Sequence, residues 1–333
     1  MAPTPCGWAE GEHGQGEFPV RKPSDFSWDP EQPAAASTDD GSAAHLPRLR
    51  AIGLPGLVDA HTHWFPDNVT RKIWDYFDRH YWPICYREPV PGRLEWMRRN
   101  GVERFTVLTY AHRPGMAAWL NECTARLAQD VPQAVPCGTF FPEPDVGAVV
   151  RRCIEEYRFH GFKLHCRVGA FDPGQPALEP AFEQVQAAGL PVVLHVGGAP
   201  DPGRYTVPAV LRRLVMRYPR LKVVVAHMGA NEYEEYLGLA EALPTVYLDT
   251  TMVFVGFNAC GAYPRAFLPR LEAMSHKVLF GSDFPAIPYS LPYAVQQLLA
   301  LPLSDQAKRR MLWSNAVGLF RMQDLPENPA PAL

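Results

Sequence analysis

From about residue 52 the chain sets down eight short apolar runs, separated by helical stretches. The runs cover 56–62, 104–109, 135–140, 161–165, 191–196, 222–227, 245–250 and 278–283. Each is rich in β-branched or apolar residues and stops at a Gly, a Pro or a polar residue. That is how a buried parallel strand reads. Helical stretches at 145–159, 178–188, 207–218, 231–242 and 264–276 fill the later gaps. In one of them Leu211, Leu214, Val215 and Tyr218 take the i, i+3, i+4, i+7 spacing of a helix packed on a sheet. Eight alternations of strand and helix predict an α/β chain folded as a (β/α)8 TIM barrel, rather than an open sheet. No GxGxxG or GxxxxGK[ST] occupies a strand-to-helix turn, so a nucleotide-binding fold has little support.

Four of these runs end in residues that bind metals. "GLVDAHTH" carries His61 and His63, "PVVLHVG" carries His195, "KVVVAHMG" carries His227 and "KVLFGSDFP" carries Asp283. His61 and His63 are two apart on a strand, so both point to one face. Strand ends at one rim are where a β/α barrel assembles its site. Taken singly, each residue has a plain structural reading. A lone HxH is often just a polar strand pair, a single His a satisfied buried one, and Asp before a turn a cap. Four such ends in register, on strands one, five, six and eight, are hard to assign to chance. Three neutral imidazoles and a carboxylate leave an open position on a divalent ion, where bound water ionises near a pKa of about 7. Asp283 is placed to accept a proton from such water, and His227 to polarise a carbonyl or protonate a leaving group.

Residues 1–50 read differently. "KPSDFSWDPEQPAAASTDDGSAAHLP" is Pro-, Ala- and Ser-rich without a sustained period, so 1–50 is expected to be a largely irregular extension before a barrel at 51–325. Its aromatics Trp8, Phe18, Phe26 and Trp28 are candidates for docking on the barrel. The chain's 333 residues and 47% hydrophobic content suffice for one large core. A net charge of -3 gives no electrostatic case for nucleic acid or an anionic membrane. No apolar run approaches the roughly 20 residues of a membrane helix, and no secretory pattern opens the chain. Seven widely spaced cysteines without CxxC suit reduced thiols and a cytoplasmic location. Residues 64–103, long and aromatic, read either as a lid or pocket wall or as plain helix-and-loop packing.

The motifs "DAHTH", "GFKLH", "LPVVLHVG", "VVVAHMG", "VLFGSDFP" and "WSNAVGLF" make residues from about 52 to 320 resemble the amidohydrolase superfamily. The branch is that of aminocarboxymuconate-semialdehyde decarboxylase and the amidohydrolase-2 proteins. The resemblance implies metal ligation by His61, His63 and His195. It implies that Asp283 is a ligand or proton shuttle and that His227 is an acid/base or oxyanion group. It implies a mononuclear site, with one zinc per chain expected and manganese or iron as alternatives. Lys163 in "GFKLH" is either a carboxylated bridge between two metals, as in binuclear members, or a cation paired with a carboxylate such as Asp59. His165 shares its face and is expected to touch substrate or support the ligands. Weaker substrate candidates are Trp64, directly after the HxH, and Arg113, Arg167 and Arg204, which follow strands and are placed to bind a carboxylate.

The expected activity is metal-dependent hydrolysis of an amide, ester or lactone of a small, carboxylated or aromatic substrate by a metal-bound hydroxide. Non-oxidative decarboxylation of an aromatic or enoic acid is the alternative. Branch decarboxylases often carry HxGE after strand six. Here the run is "HMGANE", with Ala230 after Gly229 and Glu232 two places on. An inactive barrel acting as a binding protein is a third reading, and the intact His/Asp set argues against it. The expected partners are a small-molecule substrate and, as in the branch, a second copy of the chain as a homodimer.

Overall fold

The structure is a computed structural model and describes residues 21–28 and 43–325. Eight parallel strands lie side by side in chain order. They are β1 (Leu57–Thr62), β2 (Val102–Val107), β3 (Ala134–Gly138), β4 (Gly161–His165), β5 (Pro191–His195), β6 (Lys222–Val225), β7 (Val246–Asp249) and β8 (Val278–Leu279). The residues just past β8 turn back onto β1 and close the barrel. The Ala60 amide donates to the Phe280 carbonyl at 2.9 Å, Asp283 N–H to His61 O at 2.9 Å, and His63 N–H to Phe284 O at 2.7 Å.

All eight apolar runs become strands, with shifts at the ends. β8 is short because past Leu279 the carbonyls of Phe280 and Phe284 and the amide of Asp283 pair with the backbone of Ala60, His63 and His61 rather than with β7. β6 stops at Val225, since His227, Met228 and Gly229 all have positive φ (+54°, +51° and +72°). His227 therefore sits in a left-handed turn and not on the strand. The helical stretches appear as Val146–Glu155, Glu179–Ala188, Pro208–Arg217, Tyr233–Ala242 and Leu268–Ala273, the last flanked by short 3-10 turns.

Strand periodicity sorts the core. Val135, Val193, Val224 and Leu279 cluster with Ala316, Leu319 and Phe320 near the chain's end. Val192, Leu194, Val223 and Val225, one residue out of phase, join the layer under the outer helices. On β5 the face of Val193 ends in His195. On β4 the same alternation pairs Lys163 with His165, while Phe162 and Leu164 join the helix-covered layer.

Two parts of the extension are described. His45–Ala51 is a helix whose residues His45 and Leu49, four apart, are both buried. His45 Nε2 meets Asn100 O at 2.9 Å, so irregular chain gives way to ordered structure before residue 51. Residues 21–28 lie over the strands' C-terminal loops. Phe26 packs edge-on against Tyr81 and Trp82, and Trp28 bridges the backbone of Phe257. Trp8 and Phe18 lie outside the described residues. The long first connection is two helices, Asp67–His80 and Val90–Arg99. The six cysteines among the described residues are free, and no helix there is long and apolar enough to cross a membrane.

Candidate metal centre

The site gathers at the C-terminal ends of β1, β4, β5, β6, β7 and β8. One donor atom each from His61, His227 and Asp283 lie within 4.8 Å of one another. His63 borders this group, its Nε2 2.9 Å from Asp283 Oδ1. His195 stands one ring further out, edge-on to His227 with centroids 4.9 Å apart. Its Nε2 faces the Ala199 carbonyl at 3.4 Å. Of the four ligands expected from sequence, the compact set thus holds His61 and Asp283, with His227 as its third member.

Each imidazole near the centre has one nitrogen tied down. His61 Nδ1 lies 2.8 Å from Asp249 Oδ2, His63 Nδ1 2.7 Å from Leu108 O, and His227 Nδ1 3.1 Å from Thr251 O. Carbonyls and carboxylates accept, so in His61 and His227 Nδ1 carries the proton and Nε2 keeps its lone pair, whereas His63 faces an acceptor with both nitrogens. A histidine held from behind in this way is arranged as metal-binding histidines are. Asp249 does more than orient His61. Its Oδ1 accepts the backbone N–H of His227 at 2.9 Å and of Thr251 at 3.2 Å. One carboxylate therefore fixes two members of the set.

Charge follows the same plan. Burial lowers the His61 pKa to about 4, and it pushes His165 and His195 well below the usual imidazole value and His227 below it too. These rings are neutral at pH 7, the form that binds a cation. Burial alone would raise the Asp249 and Asp283 carboxyls. The neighbouring imidazoles overcome it, taking Asp249 to about 2 and Asp283 further down, so both are anions. The fully buried Lys163 places its Nζ 3.1 Å from His61 Nε2. The His61 lone pair that a metal would use thus accepts a hydrogen bond from Lys163.

Lys163 does not pair with Asp59. Asp59 is occupied by Ser282, accepting its Oγ–H at 2.6 Å and its N–H at 3.1 Å. Burial brings the Lys163 pKa down to about 8, partly offset by Asp249 and Asp283. His165 and His195 are partners in the β4–β5 register, and their rings stack at 3.9 Å.

The weaker substrate candidates part ways. Trp64 turns into the core, stacked on Phe105 at 4.8 Å, with the Arg93 guanidinium 5.3 Å from its ring. Phe65, one residue on, stacks beside His63 at 6.1 Å and meets Tyr110 edge-on. Tyr110 in turn lies 4.9 Å from the His165 ring. Arg204 is exposed and lies over the neighbouring Tyr205 ring. Arg113 is half-buried after β2. Arg167 has a buried Nε without a hydrogen-bond partner among the described residues, and its side chain packs beside Gly203. Glu232 hydrogen-bonds the Gly198 amide at 2.7 Å and so anchors the loop after His195. Sequence reasoning missed Asp249, Phe65 and Tyr110. For Asp249 a signal existed, since the β7 run "VYLD" ends in a carboxylate as the β8 run does.

The family model described as Amidohydrolase matches residues 58–322, so the chain belongs to the amidohydrolase family and is an enzyme of that superfamily. Comparison with curated proteins gives no match. Among solved structures, an uncharacterised TIM-barrel protein from Bordetella bronchiseptica is similar at 19% identity and a TM-score of 0.65, over 80% of this chain and 99% of that one. A 5-carboxyvanillate decarboxylase from Novosphingobium aromaticivorans, with bound manganese and 3-methoxy-4-hydroxy-5-nitrobenzoic acid, gives 16% and 0.59 over 81% and 98%. A 2,6-dihydroxybenzoate decarboxylase from Rhizobium gives 16% and 0.60 over 81% and 100%. At such identities the likeness is one of fold.

Proposed function

We propose that this chain is a metal-dependent, non-oxidative decarboxylase of a phenolic or other aromatic carboxylic acid. The observation that carries the reading is the site's make-up: a buried His61–His227–Asp283 group beside the rings of Phe65, Tyr110, His165 and His195. Support also comes from the fold shared with aromatic-acid decarboxylases, one of them holding manganese. This puts decarboxylation ahead of hydrolysis, the reverse of the order expected from sequence.

His61, His227 and Asp283 would hold one divalent ion, manganese or zinc, with His63 and His195 beside them. When bound, the ion supplies Lewis-acid polarisation and orients the substrate. The aromatic side chains offer faces to a substrate ring. Loss of CO2 breaks the bond between ring carbon and carboxylate, leaves the electron pair on that carbon, and requires a proton there. With its Nδ1 committed to Thr251, His227 has a single nitrogen for the ion and none for the proton. Lys163, with its Nζ 3.1 Å from His61 Nε2, is the residue we assign to carry it. Burial of the site keeps water from competing for the developing carbanion.

Hydrolysis of an amide, ester or lactone stays as a second reading for one reason. Glu232 is spent on the Gly198 amide and so is not free for the role of the HxGE glutamate. Manganese- or zinc-loaded enzyme should be offered a panel of hydroxybenzoic acids, including 2,6-dihydroxybenzoate and 5-carboxyvanillate, beside aryl esters and lactones. Stoichiometric CO2 release with the decarboxylated phenol is expected. Hydrolysis products with no CO2 overturn the reading in favour of the second.

A further inference from the structure

His61, His227 and Asp283 are buried, none more than 8% exposed, although they sit at the end where a barrel opens to solvent. The cover over them runs from loop to loop. β1 and β5 stand four places apart among eight strands, on opposite sides of the barrel axis. The chain that leaves β1 nevertheless meets the chain that leaves β5. Tyr81, at the end of the helix Asp67–His80, donates its O–H to Asp201 Oδ2 at 2.5 Å. Loops from opposite strands join in this way by crossing the mouth.

The two sides of this contact are held differently. On the β1 side the wall is fixed, since the buried Trp82 beside Tyr81 donates its indole N–H to Ala286 O at 2.9 Å. On the β5 side the base of the loop is pinned, Gly197 N–H to Thr206 O at 2.6 Å and Ala199 N–H to Ala230 O at 2.7 Å. Asp201 stands above that base on a tip, 200–205, whose Pro202 and Arg204 are exposed. Segment 21–28 lies along the join. Arg21 Nε is 3.7 Å from the other Asp201 oxygen. Phe26 packs edge-on against Tyr81 and Trp82 at 5.9 and 5.0 Å, and Trp28 lies 5.4 Å from Phe257 in the loop after β7.

We infer that the Tyr81–Asp201 hydrogen bond is a latch across the barrel mouth, that the tip 200–205 swings away when it opens, and that segment 21–28 straps it shut. Opening admits the metal ion and the substrate to the centre. A hydroxyl-to-carboxylate bond is strong for a single contact, but it is one bond, and it breaks and re-forms with the motion of its loop. Access of this kind is needed whichever reaction follows.

The test uses the full chain with Tyr81→Phe, which keeps the ring against Phe26 and removes only the O–H. Asp201→Ala, on the loop tip, stands in if Tyr81→Phe does not fold. Metal-free protein is treated with diethyl pyrocarbonate, which modifies neutral imidazoles, and the rates at His195 and His227 are read by peptide mass spectrometry. Both rates should rise at least fivefold, with no change at the exposed His276. Manganese uptake, and manganese release into a chelator, should quicken by one common factor that leaves Kd as in wild type. Unchanged rates in either folded variant overturn the latch. Faster release alone, with a weaker Kd, shows a part of the metal centre instead and also overturns it. Phe26→Ala should quicken modification by itself and add nothing to Tyr81→Phe. Wild-type rates in Phe26→Ala overturn the strap. If wild type takes up no manganese, the metal-centre reading fails, and the modification rates still decide on the latch.

Discussion

Asp249 holds two parts of the centre with one carboxylate, His61 through its ring and His227 through its backbone N–H. A neutral amide in its place keeps the size but loses the charge that orients the His61 Nδ1–H. Asp249→Asn is therefore expected to weaken metal binding by 10–100-fold, measured by titration of the apoprotein with manganese, while circular dichroism stays that of wild type. Unchanged affinity would deny Asp249 this role. At this scale the sequence marks the residues that close an apolar run inside a motif, and His61, His63, His195, His227 and Asp283 all lie at the strands' C-terminal ends in the structure, though only His61, His227 and Asp283 form the compact set. The sequence was opaque where geometry decided. Trp64 and Phe65 are adjacent aromatics, and only the path of the chain after β1 turns one into the core and the other to the site.

Among the elements, the strands were legible because a buried parallel strand must be apolar on both faces, and little else in the chain is. Their ends were harder, because strand ends are set by hydrogen bonds and not by hydropathy. β6 gives way at His227 to a left-handed turn that also lets Asp249 take the His227 amide. Positive φ at His227 and Asp283, both non-glycine, carries a strain of about 1–3 kcal/mol each. Strain of this kind collects at functional sites and is held by the surrounding hydrogen bonds. The helix His45–Ala51 escaped notice because only His45 and Leu49 are buried, too few to set a period. Segment 21–28 is ordered by contacts distant in sequence, with Tyr81, Trp82, Phe257 and Tyr289, which no local pattern announces.

The whole molecule has an acid limit written into the barrel's mouth. An unfolded histidine takes its proton near 6.5, but buried His61 does so only near 4. Between these values the unfolded state binds more protons, so stability falls as pH falls, by about 3 kcal/mol for His61 alone. His165, His195 and His227 are shifted the same way. Asp59 works in the opposite sense. Its carboxyl is raised from 3.8 to about 7, so folding gains from it as pH drops through that window, by about 4 kcal/mol. One carboxyl offsets roughly one imidazole and leaves the others. The Tm of metal-free protein should therefore drop steadily from pH 6.5 towards 4, and a flat profile over that window would contradict the assignment. The fold rests on the barrel and the family on the match over residues 58–322, but the central claim concerns the few atoms at the barrel's mouth. Anomalous X-ray diffraction from crystals grown with manganese tests it most directly. The account predicts one strong peak per chain within about 2.0–2.3 Å of ligand atoms from His61, His227 and Asp283. No peak there, or a peak held by other residues, would contradict it.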